Sequence, residues 1–270
     1  MAYDWITDAL EATWASVESV LRGRTPAEYD APTACPGWSV RDVLSHLLGI
    51  EVWLRGGGVP TLEGPMPDHV KNSMGEFNEA FVVAHRDEPG PVVLAQFHAA
   101  TAASLAALRA MSPEQWDVVG WSPEGDRPYH RFMETRVLDS WIHLQDIRDA
   151  LLEPADDHGP GEEIVINRFE SSLPYVVGRR MRAPDGTLVR VNLTGRLARS
   201  VMIRVDGGRA SAVATSTAEP DLEVTTPVAL FWRRSAGRIS AEAFLGASAT
   251  DVRGERELAR AFAEALAIMI

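Results

Sequence analysis

Apolar residues recur at helical spacing through the first half of the chain. Trp5, Ile6, Leu10, Trp14, Val17, Val20 and Leu21 share one face of a helix running from Trp5 to Leu21. A turn follows, Thr33-Ala-Cys-Pro-Gly-Trp38, and then Ser39, which is placed to cap a second helix with Asp42 at the third position inside. That helix runs from about Val40 to Arg55 and stops at Gly56-Gly57-Gly58. Residues 59–68 hold three prolines and read as loop. Two more helices are predicted near 69–86 and 91–111, parted by Pro89-Gly90, with Ser112-Pro113 ending the second. Residues 112–128 form an irregular connection, and a last long helix covers about 129–152.

Beyond Pro154 the pattern changes. Residues 154–162 read as a linker and 162–181 as a helix. Then period-two alternation sets in at Leu188, Val189, Val191 and Leu193. Val201–Val205 and Ala210–Thr215 flank Asp206-Gly207-Gly208, a hairpin signal. Leu222–Val224 reads as a short strand, Pro227 opens a helix to about Arg234, residues 239–245 read as a strand, and Glu255–Met269 closes the chain as an amphipathic helix. The fold class expected is α plus α+β: a bundle of four or five helices over residues 1–155, then a small α+β domain over 162–270. There are no internal repeats and no low-complexity tract.

Length and composition agree with two domains, since 270 residues at roughly 150 per domain is about two. The 26 basic residues are outnumbered by 38 acidic ones, a formal net charge of -12. Such a surface repels phosphate, which argues against nucleic acid or an anionic membrane as partner. A small anionic substrate would need only a local cationic patch. One cysteine, Cys35, excludes a disulfide within the chain and suits a reducing compartment. The first residues are acidic and lack an apolar core, and no uninterrupted apolar stretch approaches the roughly 18 residues of a membrane span. A cytoplasmic protein, monomer or homodimer, is the expectation.

The helix over 129–152 carries the chemistry. With Asp139 at zero on a wheel of about 100° per residue, His143 falls near +40°, Asp146 near -20° and Arg136 near +60°. This polar stripe is walled by Leu138 and Ile142 on one side and by Ile147, Met133 and Leu144 on the other, so it should face the bundle interior. Glu134, Gln145, Arg148 and Trp141 lie on the opposite arc, expected to face solvent. Buried carboxylates and imidazoles are costly unless paired or metal-bound. A salt-bridge network among Arg136, Asp139 and Asp146 around His143 would satisfy them. So would a cation held by Asp139 and His143, four residues apart on one face. His46 shares an apolar face of the second helix with Val43, Ile50, Trp53 and Leu54 and offers a third ligand. Three protein ligands with a fourth position open is the arrangement of a catalytic zinc. Asp146 or Asp42 would then orient an imidazole from behind.

Two segments resemble a known family. Thr33-Ala-Cys-Pro-Gly-Trp-Ser-Val-Arg-Asp-Val-Leu-Ser-His46 and Arg136-Val-Leu-Asp-Ser-Trp-Ile-His-Leu-Gln-Asp-Ile-Arg-Asp-Ala150 resemble the two motifs of the mycothiol-dependent maleylpyruvate isomerase family, within the DinB-like metalloenzyme superfamily. The second half resembles, more weakly, a sterol-carrier-like α+β domain. The resemblance implies a zinc-type divalent ion on His46, Asp139 and His143, and a mycothiol-type thiol as cosubstrate. The implied reaction is isomerisation or conjugation of a small electrophile bearing a carboxylate. Asp139 stands where the family's best-known arrangement has Glu, one methylene longer.

Arg136 is the candidate for holding a substrate carboxylate. Arg238 and Arg253 read better as structural ion pairs. A zinc hydrolase, with Asp42, Glu51 or Asp146 as base, is the rival enzyme reading, and a non-catalytic binding module the rival outside enzymes. Cys35 reads as a small packing residue. His69, His85, His98, His130 and His158 read as surface residues, Gly56-Gly57-Gly58 as a helix stop rather than a phosphate loop, and the Trp116–Trp121 loop as core packing.

Overall fold

A computed structural model describes residues 3–214 and 218–269, and the chain divides into two compact units, Met1–Ile164 and Val165–Ile270. The first unit is helical: α1 (Asp4–Leu21), α2 (Pro26–Tyr29), α3 (Val40–Leu54), α4 (Ser73–His85), α5 (Gly90–Arg109), α6 (Pro113–Trp116) and α7 (Tyr129–Ala150), with a two-residue ribbon of β1 (Val119–Gly120) and β2 (Arg127–Pro128) before α7. α8 (Pro160–Ser171) begins in this unit and ends in the next.

The long helices α1, α3, α5 and α7 form a bundle: α1 packs on α5 and α7, and α3 packs on α4, α5 and α7. Their shared core includes Leu10, Trp14, Val17, Val43, Leu47, Phe97, Val137 and Leu144. Ser39 caps α3 as its sequence implies. Its hydroxyl accepts from Asp42 N–H, and the Asp42 carboxylate accepts from Ser39 N–H at 2.9 Å. α3 and α4 meet at Gly49, where an added Cβ would lie 2.3 Å from Phe81 Cβ.

Two expectations for this unit change. α5 is, by length and mean hydropathy, long and apolar enough to cross a membrane, although Gln96 and His98 interrupt its apolar run. In the bundle it buries Val93, Phe97, Thr101, Ser104 and Leu108 against its neighbours and turns small alanines outward. The arc of α7 expected to face solvent is largely covered: Glu134, Trp141 and Gln145 are buried and Arg148 is half-buried. Gln145 binds the backbone of Asp156 through both ends of its amide, at 3.0 and 3.1 Å, which lays the segment before α8 over that arc.

The second unit has a five-stranded sheet in the order β5-β4-β3-β6-β7, from β3 (Leu188–Thr194), β4 (Arg199–Asp206), β5 (Arg209–Val213), β6 (Leu222–Pro227) and β7 (Asp251–Gly254). Among the described residues, only β3 and β6 pair in parallel in this sheet. The β4–β5 hairpin turns on Gly207 and Gly208, both at positive φ as a two-residue turn of this hand requires. The expected Ala210–Thr215 strand ends at Val213, and Thr215 lies outside the described residues. The helix expected over 162–181 is broken into α8, α9 (Leu173–Tyr175) and one turn of π-helix, Val176–Arg180.

Three more helices follow: α10 (Val228–Ser235), α11 (Ala241–Gly246) and α12 (Arg256–Ala265). Residues 239–245, expected as a strand, fall mainly in α11. Ser240 caps that helix by accepting from Ala243 N–H at 3.0 Å, and Ala-Glu-Ala-Phe-Leu then favours it.

Gly49→Ala sets a helix-propensity gain of about 1 kcal/mol against an overpacking cost of about 1–3 kcal/mol where α3 meets Phe81. Packing wins because the clash is with Cβ of the neighbour, which no rotamer change can remove. A lower urea midpoint with unchanged m is expected; a higher midpoint would refute the close approach.

Candidate functional site

α3 and α7 bring the predicted residues together. His46 lies mid-α3, and its Nε2 is 3.4 Å from the Asp139 carboxylate. His143, one turn along α7 from Asp139, places its own Nε2 3.6 Å from Asp139 Oδ1. Donor atoms of His46, Asp139 and His143 all lie within 4.8 Å of one another. Bonds of about 2.0–2.1 Å from a tetrahedral ion to nitrogen and oxygen set ligand edges of roughly 3.3 Å. The observed spacings are close to that figure, so two imidazoles and a carboxylate fit a zinc-type cation. His46 Nδ1 is buried with no hydrogen-bond partner among the described residues. The ring is held instead by burial and by the indole of Trp38, 5.3 Å away between centroids.

His143 has partners at both nitrogens. Its Nδ1–H donates to Asp146 Oδ2 at 3.0 Å, and Asp146 is itself buried. This is the orienting contact expected of Asp146. Asp42, the alternative expected for that role, is committed elsewhere: it completes the α3 capping box and accepts from Arg86 Nε at 3.4 Å.

Arg136 has a different setting from the one expected of a substrate clamp. It is buried; Nε and Nη2 donate to Glu51 Oε1 at 3.2 and 2.8 Å, and Nη1 donates to Asp139 Oδ2 at 2.6 Å. Its work in this arrangement is to fix Asp139 and to neutralise Glu51. Arg238 and Arg253 lie in the second unit, where Arg238 donates to the Ala236 carbonyl and Arg253 to Asp251.

The electrostatics follow from these contacts. Burial pushes the His46 imidazole below its ordinary value, with Asp139 opposing. Burial alone would raise Asp139, but His46 and Arg136 beside it hold its carboxyl well below the usual carboxylate range. Burial would likewise lower His143; the hydrogen bond to Asp146, the contact with Cys35 and the charge of Asp139 overturn this and push it up to about 10. The cluster is therefore built to hold positive charge, which the protonated His143 ring supplies and a metal ion could equally supply.

Two participants escaped sequence reasoning. Cys35, read as packing, puts Sγ 3.3 Å from Asp146 Oδ2 and 3.8 Å from His143 Nδ1. Trp38 packs its ring against both imidazoles, 5.3 and 6.1 Å between centroids, and donates Nε1–H to the fully buried Glu79 at 2.8 Å. Glu79 also takes His69 Nε2–H at 2.9 Å and Arg86 Nη2–H at 3.1 Å. His69, expected at the surface, instead lies against Gly37, where an added Cβ would come 2.4 Å from its ring and φ is +78°. The one available signal was position: both Cys35 and Trp38 stand in the turn just before the His46 helix. His98 and His158 are exposed, as expected. Trp116 is buried, while Trp121 is exposed and packs edge-on to Trp53 and Phe132.

The profile of a family described as "Mycothiol maleylpyruvate isomerase N-terminal domain" matches residues 10–148, a span that contains every residue of this cluster. No curated protein matches the chain in sequence. Among solved structures, the mycothiol-dependent maleylpyruvate isomerase superposes with a TM-score of 0.57 at 14% identity, covering 94% of this chain and 95% of that one. A histidine-to-alanine mutant of a mycothiol-dependent maleylpyruvate isomerase superposes with a TM-score of 0.56 at 15% identity and the same coverage. At these identities the likeness is one of fold, and it extends through both units.

Removing Arg136 leaves Glu51 buried without its partner. Arg136→Met should cost about 3–5 kcal/mol, and adding Glu51→Leu should recover most of that loss. Urea unfolding of the single and double variants measures it; a single variant within 1 kcal/mol of the parent would show that the pair is not buried as described.

Proposed function

Because this chain belongs to the mycothiol maleylpyruvate isomerase family through its N-terminal domain, we propose that it is a metal-dependent isomerase. It uses a mycothiol-type thiol on a small electrophilic substrate that carries a carboxylate. The observation that carries the reading is the convergence of His46, Asp139 and His143 donor atoms within 4.8 Å, with Asp146 behind His143. His46, Asp139 and His143 would hold a zinc-type ion, and the chemistry it would supply is a lowered thiol pKa, which makes thiolate available near neutral pH.

The chain's own residues prepare that site. With an ion in place of the His143 ring's positive charge, Asp146 would keep the remaining His143 proton on Nδ1 and leave the Nε2 lone pair facing Asp139 and His46. Arg136 holds Asp139 from its far oxygen. Trp38 closes one side of both imidazoles against water. Isomerisation then needs only that the thiol add to an electrophilic carbon, that the former double bond rotate, and that the thiol leave. The substrate gains and loses no atoms. The hydrolase reading needs a free general base, and its three candidates are occupied: Asp42 by the α3 cap, Glu51 by Arg136, and Asp146 by His143.

Three results are expected. The metal-loaded chain converts maleylpyruvate only when mycothiol is present, and a chelator stops it; turnover without thiol would overturn the reading. His143→Ala loses most of its bound metal by elemental analysis, and stoichiometric metal in that variant would remove the ligand assignment. Asp146→Asn binds metal about 10–100-fold more weakly, whereas Asp42→Asn keeps its affinity and loses only about 1 kcal/mol of stability with the cap.

A further inference from the structure

His143 has a second face. On its Nδ1 side stand Cys35 Sγ and Asp146 Oδ2, and the three donor atoms lie within 4.8 Å of one another. Their separations are 3.0 Å (Nδ1 to Oδ2), 3.3 Å (Sγ to Oδ2) and 3.8 Å (Sγ to Nδ1). Metal bonds of about 2.0 Å to nitrogen or oxygen and about 2.3 Å to sulfur give tetrahedral edges of roughly 3.3–3.6 Å. Each observed edge lies near that range. The arrangement is not a nucleophile triad: Cys35 and Asp146 both approach Nδ1, whereas a triad places thiol and carboxylate on opposite nitrogens. The thiol is held in place, because the turn that carries it is closed by Thr33 N–H to the Trp38 carbonyl at 3.0 Å and by Cys35 N–H to Thr33 Oγ1 at 3.2 Å.

We propose that Cys35, His143 and Asp146 form a second cation site, selective for soft, thiophilic divalent ions and mutually exclusive with the His46–Asp139–His143 site. Sulfur in the donor set favours ions such as Cd2+ over Mg2+ or Ca2+. The first set has no sulfur, so a soft ion partitions to the Cys35 side.

Exclusivity comes from the ring the two sets share. A neutral imidazole has one lone pair. For the second site, the Cys35 thiol proton and the His143 Nδ1 proton leave to solvent, and Nε2 keeps its proton, facing Asp139. For the first site Nε2 must be bare, and Nδ1 keeps its proton toward Asp146. No electron is transferred in either case. A thiophilic ion on the Cys35 side therefore withdraws His143 from the first site.

The test uses the full chain, stripped of metal by a chelator and titrated with Cd2+. Two quantities are read: the ultraviolet charge-transfer band of a cadmium–thiolate bond, and the total cadmium bound. In the parent chain the band should grow to saturation at one ion per chain. Cys35→Ser should abolish the band while cadmium still binds at the first set. His46→Gln should leave the band intact, and Asp139→Asn repeats that arm on another donor in case the first variant folds poorly. Absence of the band in the parent chain overturns the proposal. So does its loss in both first-site variants, which would place the thiol on the first ion, and so does binding of two ions at once. Isomerase activity enters none of these readings, so failure of the functional reading is seen separately.

Discussion

One constraint organises the helical unit: α7 carries Arg136, Asp139, His143 and Asp146 into the interior, and none of them can be left there alone. Desolvating an ion costs several kcal/mol even after relaxation. Each is therefore met from another element or by its neighbour on α7. Glu51 and His46 come from α3, and Cys35 and Trp38 from the turn before it. The pairing of α3 with α7 is thus fixed by charge as well as by apolar packing. Two residues a turn and a half apart on α3 must each find a specific partner.

Much of this was legible in the chain. Helical periodicity located α1, α3, α5 and α7 closely because each has an apolar face and three have firm boundary signals: Gly56-Gly57-Gly58 after α3, Pro89-Gly90 at the start of α5, Pro154 after α7. Wheel geometry placed Asp139, His143, Asp146 and Arg136 on one stripe because an unbroken helix converts spacing into direction. The capping box at Ser39 and Asp42 was equally local. The two motifs that carried the family resemblance were legible for the same reason, each being a short run on or beside one helix.

What escaped was contact between distant segments. Spacing on α7 could not show that Arg136 faces Glu51, 85 positions away. A carboxylate on α3 consumes the charge that the sequence alone left available for substrate. Nor could it show that Cys35 meets Asp146, 111 positions away. The covered arc of α7 and the exposed, alanine-rich arc of α5 fail in the same way. Periodicity reports how polar a face is, whereas burial depends on what another segment lays across it. At 239–245 the error was local: a cap at Ser240 outweighed a short apolar run.

The grip of Arg136 on Asp139 also bears on how that carboxylate could bind an ion. With Nη1 at 2.6 Å on Oδ2, that oxygen is already engaged, and an ion held by the two imidazoles would find Oδ1 the less occupied oxygen of the carboxylate. Attachment through that one oxygen would keep the count of protein donors at three. An acidic side chain without such a tether could swing round to chelate with both oxygens and crowd out an incoming sulfur. A guanidinium outside the three donors would thus govern how much of such a coordination sphere is left for exchange.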